Sequence, residues 1–392
     1  MALARSFIRG EMIARFLRHE AAGGRLLIIA AMLALIVANS PLAPIYTDVL
    51  HRHVAGLSII HWINDGLMSL FFLLVGLEVK REFVAGQLAS WSARGLPIVA
   101  AFCGMVVPAL IYLGIAGADP ALVRGWAIPT ATDIAFSLGV LGLLGSRVPV
   151  SLKLMLVTVA IVDDIGAVIL IALVYTAGID FAALEVAGTL LAAMIMLNRR
   201  GVGALAPYLL LGGLLWTAVF VSGVHPTVAG VLTAMTIPLR GARSSAPLER
   251  LEHGLHPYVA FAVVPLFGFA NAGVSLVGLS LDTMLAPLPL ALVAGLFIGK
   301  QAGIFGGIRL AVALGIGERP DGAGWGQVYG VALLSGIGFT MSLFIGALAF
   351  NDPALLVEVK IGVLGGSLLS AVAGYCVLRA CGRDGDHIQA AS

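Results

Sequence analysis

The chain has 392 residues, 60% of them hydrophobic and 11% charged, with a formal net charge of +2 and a mean hydropathy of +1.03. A soluble globular domain carries roughly a quarter charged residues, so this composition excludes one and defines an integral membrane protein. No basic tract suits a nucleic acid, and the three cysteines, Cys103, Cys376 and Cys381, lack the CxxC spacing of a redox or zinc site.

Arg5, Arg9, Arg15, Arg18 and Arg25 lead into the first long apolar run. A cleaved signal peptide has a shorter basic region and a small-residue cleavage site, so the expectation is a retained first helix. Apolar runs of spanning length fall near residues 13–38, 58–80, 95–117, 121–143, 150–176, 181–198, 204–221, 223–238, 253–275, 285–310, 326–350 and 356–380. They predict an all-α membrane protein, one domain over residues 1–392 with twelve transmembrane helices. Residues 201–239 carry no Asp, Glu, Lys or Arg and are divided at Gly223-Val224-His225-Pro226.

Lysines and arginines set the orientation. With the N-terminus cytoplasmic, the inner connections hold the N-terminal arginines, Lys80, Arg81, Arg94, Arg147, Arg199, Arg200, Arg240, Arg243, Arg250, Arg309, Arg319, Arg379 and Arg383. The outer ones hold little beyond Arg52, Arg124 and Lys360, so both termini are placed inside. The one long outer loop, residues 40–57, has short β-compatible runs on either side of Leu50 to Arg52. It predicts a small hairpin able to pair with another copy of the chain.

Two stretches interrupt their spans: IPTATDIAFSLG at 128–139, with Pro129, and SGIGFTMSLFIG at 335–346, with Gly336 and Gly338. Irregular backbone at membrane depth survives only where protein or a water-lined cavity satisfies it. Each is the middle member of a three-span group, 95–176 and 285–380, and counting sides gives the groups opposite topology. That is the pattern of inverted repeats whose discontinuous helices, spans four and eleven, cross near the midplane.

The chemistry concentrates at VAIVDDIGAV, residues 159–168. A charged Asp at the centre of a spanning helix costs about 2.5–3.5 kcal/mol, so Asp163 and Asp164 require a cation, an aqueous cavity or protonation. Adjacent helical residues lie about 100° apart, so one can face a cation while the other faces a cavity. Lys300, alone in the apolar run of span ten, is the candidate cation, as an ion-coupled partner or as half of a purely structural pair.

Asp133, beside Thr132, could neutralise two facing helix N-termini, and Lys300 two facing C-termini. Alternatively, the carboxylates, a hydroxyl and backbone carbonyls form a hard-oxygen set for an alkali cation. Asn64 and Asp65 read as caps at the outer end of span two. At its inner end Glu78, Arg81 and Glu82 share a helical face. With Glu252, His253 and His256 they form either an ordinary solvated end or a pH-sensitive cation funnel. His225, before Pro226, reads as a helix-break residue bonded to backbone or as a proton sensor.

At these residues the chain resembles the NhaA family of bacterial Na⁺/H⁺ antiporters. TATDIAFSLG, VAIVDDIGAV, FGFANAGV (residues 267–274), the lone Lys300 and SGIGFTMSLFIG all match, in order, over essentially the full chain. The inverted-repeat geometry belongs to what is generally described for that family. The resemblance implies an inner-membrane antiporter, not an enzyme, that exchanges Na⁺ or Li⁺ for protons without a cofactor. Asp163 and Asp164 would bind Na⁺ and protons, with Lys300 the partner of Asp163, and Asp133 and Thr132 would belong to the unwound crossing of span four. Glu78, Arg81, Glu82, Glu252, His253 and His256 would form a cytoplasmic pH-response region, with His225 acting from elsewhere, and the outer hairpin would support a homodimer. Gly241 departs from the polar or acidic group that relatives can carry there, so the details of pH activation do not transfer.

Two rivals make different demands on the same residues. A Na⁺-coupled organic-anion symporter wants an arginine or an open polar pocket at the midplane, where this sequence offers only Lys300. An intramembrane aspartyl protease needs acids on two helices, which Asp133 and Asp163 could imitate, but no GxGD motif surrounds either.

Overall fold

Continuous apolarity decides where most helices run, and a few polar caps decide where they stop. In a computed structural model, residues 21–382 are described apart from 87, 177, 241–245 and 278. Expectations for Arg5, Arg9, Arg15, Arg18, Gly241, Arg243 and Arg383 lie outside the described residues. Helix α1 (Ala21–Ala38) is followed by a short helix, α2 (Ala43–His51). Two-residue strands β1 (His53–Val54) and β2 (Leu57–Ser58) then pair antiparallel, His53 with Ser58 and Val54 with Leu57.

This corrects the hairpin expected over residues 40–57. Pro44 sits at the start of α2, where its missing N–H costs nothing, and the Asp48–Arg52 pair at 3.6 Å spans one helical turn. Tyr46 docks the helix by donating to the Phe269 and Ala270 carbonyls at 2.6 and 3.1 Å. Burial pushes its phenol up to about 12, so it stays a donor at neutral pH. The remaining hairpin turns on Ala55 (φ 49°) and Gly56 (φ 89°), the pair of left-handed residues of a type I′ turn. Asn tolerates that conformation better than Ala, so Ala55→Asn should raise thermal stability, by at most about 1 kcal/mol. An unchanged or lower melting temperature would count against a left-handed turn there.

Helix α3 (Ile59–Val84) starts at the Ser58 side-chain cap and contains a π-helical turn, Trp62–Leu67. Next come α4 (Trp91–Ala116), a 3-10 segment (Val123–Thr130) and α5 (Ile134–Leu144), with a break at residues 131–133. Helices α6 (Val150–Val174), α7 (Phe181–Arg199), α8 (Leu205–Val221) and α9 (Thr227–Thr236) follow. Two helices then carry internal π turns: α10 (Pro247–Ala272) and α11 (Pro287–Ala313). The last are α12 (Trp325–Leu334) and α13 (Phe339–Ala349), bent by 41° across their break, and α14 (Pro353–Cys381).

Among the described residues, nine helical stretches are long and apolar enough to cross a membrane, the broken α12–α13 pair makes a tenth, and α8 and α9 are shorter apolar helices. Their outward faces are apolar too: Leu173 and Leu210 are more than two-thirds exposed. Such a surface is stable only against lipid.

Two clusters of buried side chains organise these helices. The larger includes residues of α4, α5, α6 and α11 to α14; the smaller joins α7, α8 and α9 to one face of α3 through Leu73, Leu77, Met194, Tyr208 and Leu215. Helix α3 thus lies between the two, with Phe72 and Leu74 on the larger side. Where helices meet most closely, glycine permits it. A Cβ at Gly299 would stand 2.7 Å from the Pro108 Cα, and one at Gly303 would stand 2.3 Å from the Cys103 carbonyl, so α11 rests directly on the α4 backbone. Two lysines finish helix ends. Lys80 donates to the Met235 and Ile237 carbonyls at the end of α9, and Lys360, on α14, to the Gly273 carbonyl at the end of α10.

Candidate ion-binding site

Helix α6 carries two acids because its rotation gives each a different neighbour. Lys300, the first residue after the π turn Ala294–Gly299, points its ammonium at Asp163 Oδ2, 2.5 Å away, with both side chains wholly buried. Asp164, one residue on and turned by about 100°, is 1% exposed and lines a cavity of about 50 Å³. Phe71, Glu78, Thr132, Asp133 and Thr340 share that cavity, which has room for a few waters.

Counting hydrogen bonds separates the acids further. Asp163 Oδ1 and both oxygens of Asp164 have no hydrogen-bond partner among the described residues. Buried polar atoms are otherwise almost always paired, so three orphaned carboxylate oxygens mark a place meant for something else. Asp133, by contrast, is saturated with donors. Its Oδ1 accepts from the Phe136 N–H at the start of α5, and its Oδ2 accepts from the Thr340 N–H and hydroxyl at the start of α13, at 3.0 and 2.5 Å. One carboxylate therefore caps two opposed helix N-termini at once.

Thr132 ties this cap to the acid pair. Its Oγ1 lies 2.8 Å from Asp163 Oδ2 and 2.9 Å from the Ser335 carbonyl, which closes α12. The Asp133 N–H donates to the Ile337 carbonyl at 2.7 Å, so the two breaks cross at hydrogen-bond contact. Carboxylates, a hydroxyl and break carbonyls thus converge as hard oxygen donors, the set that replaces the hydration shell of an alkali cation. Among the described residues no three His, Cys, Asp or Glu side chains gather as a resident-metal site.

Lys300 hydrogen-bonds to Asp163, and hydroxyl groups take carbonyls at the broken helix ends. Two other expected roles need correction. Asn64 and Asp65 are not caps, since Ser58 caps α3 and both residues lie in the π turn beyond it. Asn64 exchanges amide hydrogen bonds with Asn271, at 2.9 and 3.5 Å, and Asp65 Oδ1 meets His225 Nε2 at 3.5 Å. The other ring nitrogen of His225 faces the Thr227 hydroxyl at 2.8 Å as well as the Thr227 N–H at 3.5 Å, so its partners are mainly side chains.

At the opposite end of α3, about 24 Å along the axis from Asp65, Arg81 contacts Glu82 at 3.2 Å and Glu252 at 3.1 Å. The Glu252 contact is an ion pair that falls short of hydrogen-bond alignment. Glu78, one turn before Glu82 on α3, lines the same cavity as Asp164. His253, exposed, bonds to the Glu249 carbonyl at 2.6 Å, and His256 lies one turn further on the same helix. His225 stands apart from the group, packed edge-on to Phe344. The residue that sequence reasoning passes over is Thr340. Its only local signal is a hydroxyl in the first turn after Gly338, where a helix restarts.

Interrupted helices crossing beside buried, unpartnered carboxylates, within a multi-pass helical bundle, define a secondary ion transporter. Comparison with known proteins narrows this class. The model of the family described as Na+/H+ antiporter 1 matches residues 14–378. The Na(+)/H(+) antiporter NhaA of Rhizorhabdus wittichii is 66% identical, over 94% of this chain and 98% of that protein. Those of Sphingopyxis alaskensis and Nitrobacter hamburgensis are 59% and 57% identical, each over more than 90% of both chains. The chain belongs to the NhaA family of Na⁺/H⁺ antiporters.

Proposed function

We propose that this protein expels Na⁺ or Li⁺ in exchange for external protons, with Asp163 and Asp164 as the shared site. The observation that carries this reading is the orphaned carboxylate of Asp164 on a small cavity. Protons or an alkali cation can neutralise that pair, and binding one displaces the other. Two protons entering per Na⁺ leaving moves net positive charge inward, so an inside-negative potential drives extrusion at about 2.3 kcal/mol per charge per 100 mV. Thr132 and the crossing carbonyls complete the cation's oxygen shell, and Asp133 serves the crossing as its double cap.

In the same reading the ten spanning stretches with α8 and α9 make twelve spans in the bacterial inner membrane, with both termini cytoplasmic. The groups around α4–α6 and α11–α14 are inverted repeats that rock against the smaller bundle to alternate access. Glu78, Arg81, Glu82, Glu252, His253 and His256 set the pH response at the cytoplasmic mouth, His225 tunes it from the far end of α3, and the β1–β2 hairpin pairs two copies into a homodimer. Family membership lends no support to the organic-anion symporter or the protease.

The test uses purified protein in proteoliposomes. An imposed Na⁺ gradient should drive proton movement, and an imposed membrane potential should change its rate. Calorimetry in buffers of differing ionisation enthalpy should show protons released as Na⁺ binds. Sodium uptake without proton release would defeat the shared-site reading.

A further inference from the structure

The breaks leave helix C-termini inside the bundle, where no bulk solvent can satisfy their last carbonyls. Two serines meet that need in a matched way. Ser137 lies one turn beyond Asp133, the N-cap of α5, and Ser342 one turn beyond Gly338, the N-cap of α13. Their N–H groups donate to those same N-cap carbonyls at 3.0 and 2.9 Å. The Ser137 hydroxyl then donates across to the Leu334 carbonyl, the last residue of α12, at 3.0 Å. The Ser342 hydroxyl donates in the reverse direction to the Ile128 carbonyl, near the end of the 3-10 segment, at 2.7 Å. Both serines are 0% exposed, so each half-helix that restarts after a break closes the half-helix that ended at the other.

We propose that Ser137 and Ser342 are positioning residues for ion exchange, a reciprocal latch that holds Thr132 at the acid pair. The route is short on both sides. Leu334 precedes Ser335, whose carbonyl meets Thr132, and Ile128 anchors the strand of backbone that leads into Thr132 and Asp133. Releasing either latch lets a buried carbonyl shift to find another donor, and the hydroxyl beside Asp163 moves with it. This rests on the antiport reading and adds two residues that touch neither cation nor carboxylate.

The experiment compares Ser137→Ala and Ser342→Ala, singly and together, as full-length protein in proteoliposomes. Each single variant should raise the apparent KM for Na⁺ by about fivefold to tenfold, as expected for one buried hydrogen bond, with a smaller change in maximal rate. The double variant should cost less than the product of the two, because both latches close one crossing. Serine-to-threonine variants, which keep the hydroxyl, should restore KM. Thr130→Ala is the control: its hydroxyl is buried but bonds locally to the Ala127 carbonyl at 2.8 Å, so KM should hold. Unchanged KM in both alanine variants, or an equal rise in the control, would overturn the latch. If alanine variants are not recovered folded, cysteine variants give the same comparison, with an intermediate KM in support and a wild-type KM against. Failure of the wild type itself to exchange would sink the antiport reading instead.

Discussion

Asp164→Asn should abolish sodium-driven proton movement and leave the protein folded. Asparagine has nearly the shape of aspartate but neither carries the charge nor takes the proton, so both occupants of the site are lost together. Stability is spared for a specific reason. Both Asp164 oxygens lack hydrogen-bond partners among the described residues, so the substitution breaks no bond and removes a buried charge that costs free energy where it stands. The melting temperature should match or exceed that of the wild type, while proteoliposomes show no proton flux above background. Wild-type flux from this variant would remove Asp164 from the transport cycle.

Lys300→Ala should do the reverse, harming the fold more clearly than the exchange. Its ammonium and Asp163 Oδ2 are 2.5 Å apart with no exposure on either side chain. Removing one member of a buried pair strands the other, at about 3–5 kcal/mol. Asp163 keeps only the Thr132 hydroxyl for compensation, since its Oδ1 is already unpartnered. Thermal melting in detergent should fall by many degrees. A second substitution, Asp163→Asn, should recover part of that loss, because no charge is then left stranded. Equal melting temperatures for Lys300→Ala and wild type would show that the pair holds nothing together.

Glu78 and Asp65 illustrate the limits of reading one helix from its own letters. Their helix was legible as an apolar run, and the shared face of Glu78, Arg81 and Glu82 followed from spacing. Nothing local separated Asp65 from an ordinary cap. Its partner His225 lies on the other side of several spans, and the π turn that turns Asp65 inward leaves no signature among residues 62–67. Residues 40–57 fail differently. Their β-compatible side chains are outweighed by Pro44 at a helix start and by the docking of Tyr46 onto α10, which no propensity contains.

The amino-acid sequence by itself determined that the chain lives in lipid, where its long apolar helices run, which two are interrupted, and that Asp163, Asp164 and Lys300 are the charges to explain. These are one-dimensional properties: apolar length against bilayer thickness, proline and glycine against helix continuity, and the cost of charge in hydrocarbon. The resemblance already pairs Asp163 with Lys300, and the tertiary structure agrees; only the tertiary structure showed that Asp164 stays open to a cavity. It alone brought Asp133 to Thr340 across 207 residues of chain. Such contacts depend on the crossing angle and axial rotation of whole helices, set by glycine-mediated backbone approach and by the mutual closing of broken ends. No short window of sequence records those rotations.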